Sequence, residues 1–455
     1  MRGCTTKFST SPSVLKSCRT CKRLSSKPQR LNTRIGGTGE HATVTKPLKI
    51  ALTSYRSHPF SGGQGVYISA LSKALVEQGL QVDVISGPPY PNLDERVGLV
   101  KLPSMDLYEH GLRSLRWHHL HSYSNVVEWL SKLTGGFAEP YTFGRRLRRY
   151  FATHKPHYDL IHDNQSLCRG LLDVERMGYP VVATIHHPIS SDLRLALQAE
   201  PVWWRRLFLR RWHSFLRMQI PVARALKRIF AVSESARADV EREFGIDSGR
   251  MVVTGIGTDT DLFKPLPGRV KDLNRIMITA SSDTALKGVV YAIQAFAVLR
   301  EQFPNLRLRL IGKLKPEGEA QKLINRLDLA AAIDNHSRVS QEDLVAFYNE
   351  ASVFVSPSLY EGFGLPAAEA MASGTAVVVT NGGALPEVVG NDGVVVPSGD
   401  SQALAAAVAD VLRDPERRIA LEQRGRDRIV KEFSWAACAR RTEHEYKAVL
   451  ANADR

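Results

Sequence analysis

Two α/β domains of similar size, each built from stacked βαβ units around a parallel sheet, are predicted for this sequence on three observations. From Leu48 onward, short strand-like apolar runs alternate with helix-length stretches of 3.6-residue periodicity. The alternation is interrupted at residues 259–272, where Pro265, Pro267 and Gly268 mark a linker. The 455 residues are 43% apolar and 24% charged, the mix of a globular chain long enough for two or three domains. That composition excludes collagen-like, coiled-coil and wholly disordered chains. A polytopic membrane protein is excluded too, because a charged residue or Gly interrupts every apolar run short of the roughly 20 residues a span needs.

In chain order, residues 1–45 come first, with nine Lys or Arg against the single acid Glu40, net +8, and no apolar periodicity. Such a segment cannot bury enough surface to offset its ordering entropy and reads as a disordered basic tail. Three accounts of it compete: an organelle transit peptide, a zinc site at Cys18 and Cys21, or translated upstream sequence with the true start near Val44. The third is preferred, since a lone CxxC lacks a second ligand pair and the folded pattern begins abruptly at Pro47. Only Cys168 and Cys438 lie in the body, so no disulfide framework supports it and a cytoplasmic setting is expected.

The first domain, residues 46–265, has predicted strands at 49–53, 82–86, 160–163, 181–186 and 229–232. The second, residues 266–455, has them at 276–280, 306–311, 353–357, 376–380 and 393–396. These are short runs rich in Val, Ile and Leu, as parallel strands covered on both faces require. Helical patterns at 402–413, 415–432 and 435–450 exceed what one more βαβ unit needs; they either cap the second domain or cross back to the first. Charge is uneven: residues 46–265 hold 29 basic and 21 acidic residues, residues 266–455 hold 23 and 24. An anionic partner is therefore expected on the first half.

Two loops carry chemistry. After the first strand, Gly62, Gly63 and Gly65 precede a helix at 66–78, a pattern that lets backbone amides approach a phosphate or makes a plain turn. Its spacing is not GxGxxG and no acid closes the next strand, which argues against a nicotinamide cofactor. The stretch 354–374 reads as buried strand, glycine turn and a helix starting near Leu365, with Pro366 suited to its first turn. Glu361 precedes that helix, Glu369 lies one turn inside it, and Gly362, Phe363, Gly364 and Leu365 bring backbone amides to its amino end. Amides suit an anionic group and carboxylates suit hydroxyls; a nucleotide sugar has both.

In these residues the sequence resembles the family-4 glycosyltransferases, retaining enzymes of the GT-B fold, in which two Rossmann-like α/β domains face each other across a cleft. Glu361 to Glu369 is similar to their E-x7-E motif, and Thr184-Ile-His-His187 to their strand-end histidine. Val232-Ser-Glu-Ser235, Gly255-Ile-Gly-Thr-Asp259, Leu286-Lys-Gly-Val289, Arg338-Val-Ser340 and Gly382-Gly-Ala-Leu-Pro-Glu387 continue the match, which covers about residues 47 to 450. The resemblance implies that Glu361 contacts sugar hydroxyls, that Glu369 holds the ribose, and that Lys287 neutralises the leaving diphosphate in place of a metal ion. It also implies that His186 lies at the cleft near sugar and acceptor, Gly63 near the phosphates and Val339 near the base. His187 reads better as a satisfied strand-end histidine. No cofactor is implied beyond the donor substrate, and with no Asp-x-Asp in a matching place activity is expected to survive chelation.

One departure stands out: the family commonly has an Arg five residues before the motif Lys, and here that residue is Ser282. Lys313 is a candidate to supply the missing charge. Alternatively, the chain is a catalytically silent sugar-nucleotide-binding protein, or another GT-B enzyme such as a nucleotide-sugar epimerase. The expected acceptor is a glycan, a lipid or a small molecule. On a helical wheel of residues 203–220, Trp204, Leu207, Phe208, Trp212, Phe215 and Met218 take one side and Arg206, Arg210 and Arg217 the other. This suits an anionic membrane surface, or else a helix packed on its own domain. Nucleic acid is not an expected partner, since no zinc-finger, helix-turn-helix or RNA-recognition signature is present.

Overall fold

All ten predicted strands form in the computed structural model, which describes residues 46–59, 63–280 and 284–453. Residues 1–45, with the Cys18–Cys21 pair, the predicted-site residue Gly62, and Ser282, where the family's usual Arg is missing, lie outside the described residues. The first sheet runs β1 (Lys49–Ser54), β2 (Gln81–Ser86), β3 (Gly98–Lys101), β4 (Leu160–Asn164), β5 (Val181–Ile185), β6 (Arg228–Ala231) and β7 (Met251–Val253). The second comprises β8 (Asp272–Thr279), β9 (Arg307–Ile311), β10 (Ile333–His336), β11 (Ala351–Ser356), β12 (Ala376–Thr380) and β13 (Val394–Val396). Every pairing is parallel, for example Ile50 opposite Leu160 and Phe354 opposite Val377.

Strand order decides where the chemistry sits. The sheets read β3-β2-β1-β4-β5-β6-β7 and β10-β9-β8-β11-β12-β13, so the order reverses between β1 and β4 and again between β8 and β11. In an open parallel sheet the crevice at such a reversal, beyond the carboxyl ends of the strands, is where ligands bind. The predicted site residues all follow strands at that end: Gly63 after β1, His186 after β5, Lys287 after β8, Val339 after β10 and Glu361 after β11.

Three strands escape the sequence reading: β3, β7 and β10, each at a sheet edge. An edge strand is half wet and short, and Ile333-Asp-Asn-His336 has too few apolar residues to mark one.

The chain passes between the two sheets twice, after β7 and again near residue 434. There the passes touch: the Thr258 N–H donates to the Phe433 carbonyl at 2.7 Å, and a Cβ on Gly257 would lie 2.3 Å from the Trp435 indole. Beyond this crossing the helix Trp435–Ala453 packs against the first sheet, where Cys438, Ala439 and Tyr446 share a core with Ile50, Leu52, Tyr67 and Phe230. The assignment of all of residues 266–455 to the second domain is corrected accordingly. The apolar positions of this helix fit the first domain's exposed core face, and the sequence pattern records that a face is apolar without recording what it covers.

Residues 203–220 are also corrected, from one amphipathic helix to two. The helix Trp203–Trp212 ends in a tight turn, His213–Phe215, and a second helix, Leu216–Ala225, follows. Phe215 and Met218 are buried, while Trp203, Trp204, Leu207 and Phe208 are exposed.

Candidate active site

Lys287 and Glu361 meet at the reversal of the second sheet. Lys287 ends the turn Ala285–Lys287, and Gly288 follows with φ 63°, a left-handed conformation that a side chain disfavours. A Cβ there would also strike the Pro357 carbonyl at 1.9 Å. The close approach lets the Leu359 N–H donate to the Leu286 carbonyl at 2.8 Å, which stitches the loop after β8 to the loop after β11. With the backbones so joined, Lys287 Nζ lies 2.8 Å from Glu361 Oε1, and Ser358 Oγ donates to the same oxygen at 2.8 Å. The half-buried pair thus presents one cation, one carboxylate and a hydroxyl in a single crevice.

Gly364, at φ 99°, opens the helix Leu365–Ala372. A Cβ on it would meet Leu385 at 2.7 Å, so both backbone and packing require glycine. The Phe363 side chain is buried beside Phe433, and the Gly362 carbonyl accepts from Ser233 Oγ at 2.8 Å. Glu369 accepts a hydrogen bond from the Tyr348 hydroxyl at 3.0 Å, and burial pushes its carboxyl up to about 7.

His186 reaches the same cleft from the first sheet: a Cβ on Gly362 would stand 3.6 Å from its carbonyl oxygen. Gln165 fixes its backbone, accepting the His186 N–H at 2.7 Å and donating to the His187 carbonyl at 2.7 Å. Gln165 itself sits at φ 52°, a strained conformation for a non-glycine residue held by its neighbours. The imidazole tautomer follows from Asn164. Its amide nitrogen donates to the Gln64 carbonyl at 3.0 Å, so its oxygen accepts from His186 Nε2–H at 2.7 Å, leaving a lone pair on Nδ1. Burial, aided by the neighbouring His187, pushes the His186 pKa down to about 3. At neutral pH His186 is an uncharged hydrogen-bond acceptor suited to a hydroxyl.

The other predicted residues are more dispersed. Gly63 begins the helix Gly63–Glu77 and lines a cavity with His187 in the first domain. Val339 lies half-buried in the loop after β10. Lys313 is exposed in the loop after β9, where Gly312 packs against the Ala280 carbonyl. Among the described residues, no three His, Cys, Asp or Glu converge as metal ligands would.

Comparison with known proteins decides the family. The model for glycosyl transferases group 1 matches residues 267–428, and that for glycosyltransferase family 4 matches residues 61–262. An MMP alpha-(1->4)-mannosyltransferase from Mycolicibacterium hassiacum is 43% identical over 89% of this chain and 99% of its own. The chain is a family-4 glycosyltransferase. A D-inositol 3-phosphate glycosyltransferase from Streptomyces scabiei is more distant, 28% identical over 91% of this chain and 94% of its own. Solved structures share the fold: sucrose-phosphate synthase from Thermosynechococcus elongatus has a TM-score of 0.63 at 23% identity, covering 89% of this chain and 100% of its own. HepE from Anabaena in complex with UDP has a TM-score of 0.63 at 17% identity, covering 88% of this chain and 100% of its own.

In this glycosyltransferase the candidate side chains are held by residues that sequence reasoning passed over. Asn164 and Gln165 orient His186, Ser358 supports Glu361, and Tyr348 supports Glu369. Asn164 and Gln165 stand at the carboxyl end of a predicted strand beside the reversal point, the one signal that marks them.

Proposed function

We propose that this enzyme transfers a mannosyl group from a nucleotide diphosphate sugar to a sugar hydroxyl, with retention of configuration and without a metal ion. The mannosyltransferase relative at 43% identity supports the choice of sugar. The observation that carries the chemistry is the Lys287–Glu361 pair, 2.8 Å apart, with Gly362, the next residue, lying beside the His186 backbone carbonyl of the first sheet. In this reading Lys287 and the amides at the start of the helix Leu365–Ala372 stabilise charge developing on the departing diphosphate, where fixed donors act most strongly. Glu361 accepts hydrogen bonds from sugar hydroxyls, Glu369 does so from the ribose, and Val339 borders the base. His186 Nδ1 accepts from a hydroxyl of the transferred sugar. The departing phosphate takes the acceptor proton on the same face, which retains configuration.

Lys313 is proposed to replace the charge missing at Ser282, since its loop leaves the sheet beside that of Ala280. Lys313→Ala is then expected to weaken donor affinity. The deciding experiment measures nucleoside diphosphate release from UDP-, GDP- and ADP-linked sugars in EDTA. Release from one mannose donor, lost in both Lys287→Ala and Glu361→Ala, is the expected result; a strict Mn²⁺ or Mg²⁺ requirement would contradict it, and tight donor binding without release would favour a silent binder.

A specific surface supports a further element, contact with an anionic membrane. Trp203, Trp204, Leu207 and Phe208 are exposed on the helix Trp203–Trp212, none of whose residues is buried. Phe208 packs at Gly135; Leu130 and Leu133, a few residues before that glycine, are exposed as well, and Arg205, Arg206 and Arg210 lie on the same helix as the aromatic residues, Arg205 over the Trp204 ring. Aromatic and basic residues together suit a headgroup interface. No helix among the described residues is long and apolar enough to cross a membrane.

A further inference from the structure

The turn His213–Phe215 gathers charge as well as burying Phe215. Arg211 stands in the last turn of the helix before it and Arg217 in the first turn of the helix after it. The break thus takes Arg217 off the face it shares with Arg206 and Arg210 on a helical wheel. Arg211 and Arg217 line a cavity of about 550 Å³, within the range of small-molecule sites, together with Arg169 at the start of the helix Arg169–Arg176. Ser131, Thr134 and Ser214 bring hydroxyls to the same lining, and no Asp or Glu belongs to its described part.

The positive charge here is fixed in place without being neutralised. Arg211 Nη1 donates to Ser214 Oγ at 3.0 Å, and Nη2 donates to Thr134 Oγ1 at 2.8 Å and to Ser131 Oγ at 3.4 Å. A Cβ on Gly136 would strike the Arg211 guanidinium at 2.4 Å, so glycine at that position is what admits the group. Its three partners are neutral hydroxyls, and two of its five N–H hydrogens remain to donate. None of the three arginines forms an ion pair among the described residues. The acids of the helices Tyr123–Leu133 and Glu139–His154 are engaged elsewhere, Glu128 by Arg146 at 2.6 Å and Glu139 by Arg56 at 3.3 Å. Like charges around one cavity repel one another, and an anion between them removes that repulsion. The rim is apolar: Leu130 lines the cavity and is exposed, and Phe208 of the exposed aromatic patch packs on Gly135, next to Gly136.

We propose that this cavity is an anion site that holds the phosphate group of a phosphate ester. A guanidinium meets a phosphate through paired, charge-assisted N–H donors, and the Arg211 fork is already oriented by its hydroxyl partners. Arg169 and Arg217, both exposed, supply further charge at the mouth. The apolar rim favours a lipid headgroup over a soluble ester as the source of the phosphate. Lys287, Glu361 and His186 do not line this cavity, and the proposal does not depend on the transferase reading.

Two arms on the full chain test the site and separate the sources: calorimetry with glycerol 3-phosphate, and sedimentation with phosphatidylcholine vesicles with and without phosphatidic acid. Saturable binding that depends on phosphatidic acid, with little binding of glycerol 3-phosphate, supports the site and assigns it to a lipid. Saturable binding of glycerol 3-phosphate supports it with a soluble ester instead. In the arm that binds, Arg211→Lys keeps the charge but not the fork and is expected to weaken binding about tenfold. Arg169→Gln and Arg217→Gln, at exposed positions, guard against a folding artefact and are each expected to weaken it about threefold. Arg149→Gln, an equal loss of charge at an exposed position outside the cavity, is expected to change it little. No binding in either arm overturns the proposal. Binding that Arg211→Lys leaves intact, or that Arg149→Gln weakens as much as Arg217→Gln does, also overturns it, because the attraction then belongs to the basic surface as a whole.

Discussion

At the scale of single residues, the Lys287 cation and the Glu361 carboxylate are paired before any substrate enters. Lys287 is held by Glu361, so a diphosphate must take over part of that ion pair. Lys287→Ala removes the diphosphate's partner and leaves Glu361 half-buried and unpaired; kcat is expected to fall about 10²- to 10³-fold in a nucleotide-release assay, with Lys287→Arg recovering part of the loss. Glu369 yields a pH prediction. Its carboxyl is raised from 4.5 to about 7 by burial, so below pH 7 binding a ribose through the ionised group first costs a proton. Donor affinity measured by calorimetry should weaken about tenfold per pH unit below 7 and level off above it, and Glu369→Gln should abolish the slope. The sign for stability is opposite to that of a salt-bridged acid. Above pH 4.5 the unfolded chain loses this proton first, so stability falls between pH 4.5 and 7, and Glu369→Gln should raise the melting temperature at pH 8 but not at pH 4.5. Lys287, Glu361 and Glu369 were legible because their motifs are continuous in sequence. Asn164, Gln165 and Ser358 act through folded neighbours, and a single polar residue in sequence does not name its partner.

At the scale of elements, the central strands were legible because burial on both faces leaves a run of branched apolar residues, as in Val181–Ile185. The edge strands β3, β7 and β10 were not, since half their surface is wet and their length is only three or four residues. Residues 203–220 show the same ambiguity in a helix. Apolar periodicity extended across Trp212, yet the chain turns there, burying Phe215 and Met218 and exposing Trp204, Leu207 and Phe208. The exposed half accordingly carries the membrane prediction. Wild type is expected to sediment with anionic vesicles at low salt, and a Trp203→Ser, Trp204→Ser, Phe208→Ser variant to remain in the supernatant with its fold intact, because these side chains are not part of a core. Equal sedimentation of the two would remove the helix from any membrane role, and binding that survives high salt unchanged would argue against the flanking arginines.

At the scale of the whole molecule, the two halves are joined by more than their covalent crossings, and the extra contacts lie beside the chemistry. Glu387, in the second half, accepts the backbone N–H groups of Glu234 and Ser235, both at 2.7 Å, at the amino end of the first-half helix Glu234–Phe244. Ser233, which caps that helix, donates to the Gly362 carbonyl at 2.8 Å, one residue from Glu361. Tyr360 reaches Asp239 on the same helix. A carboxylate on a helix amino end combines charge-assisted hydrogen bonds with a favourable dipole, and such bonds contribute about 1.5–3 kcal/mol each. Loss of about 1.4 kcal/mol shifts an equilibrium between closed and open halves tenfold, so this one carboxylate has enough free energy to govern closure over a bound donor. Glu387→Ala is expected to enlarge the radius of gyration in small-angle scattering and to lower kcat at least tenfold. Donor affinity should fall less, because Lys287, Glu361 and Glu369 all belong to the second half. Unchanged scattering together with unchanged turnover would show that the crossings alone set the closed arrangement. A loss of donor affinity as large as the loss of turnover would instead place Glu387 in support of the Glu361 loop, through the bond from the Ala384 N–H to the Glu361 carbonyl at 2.9 Å.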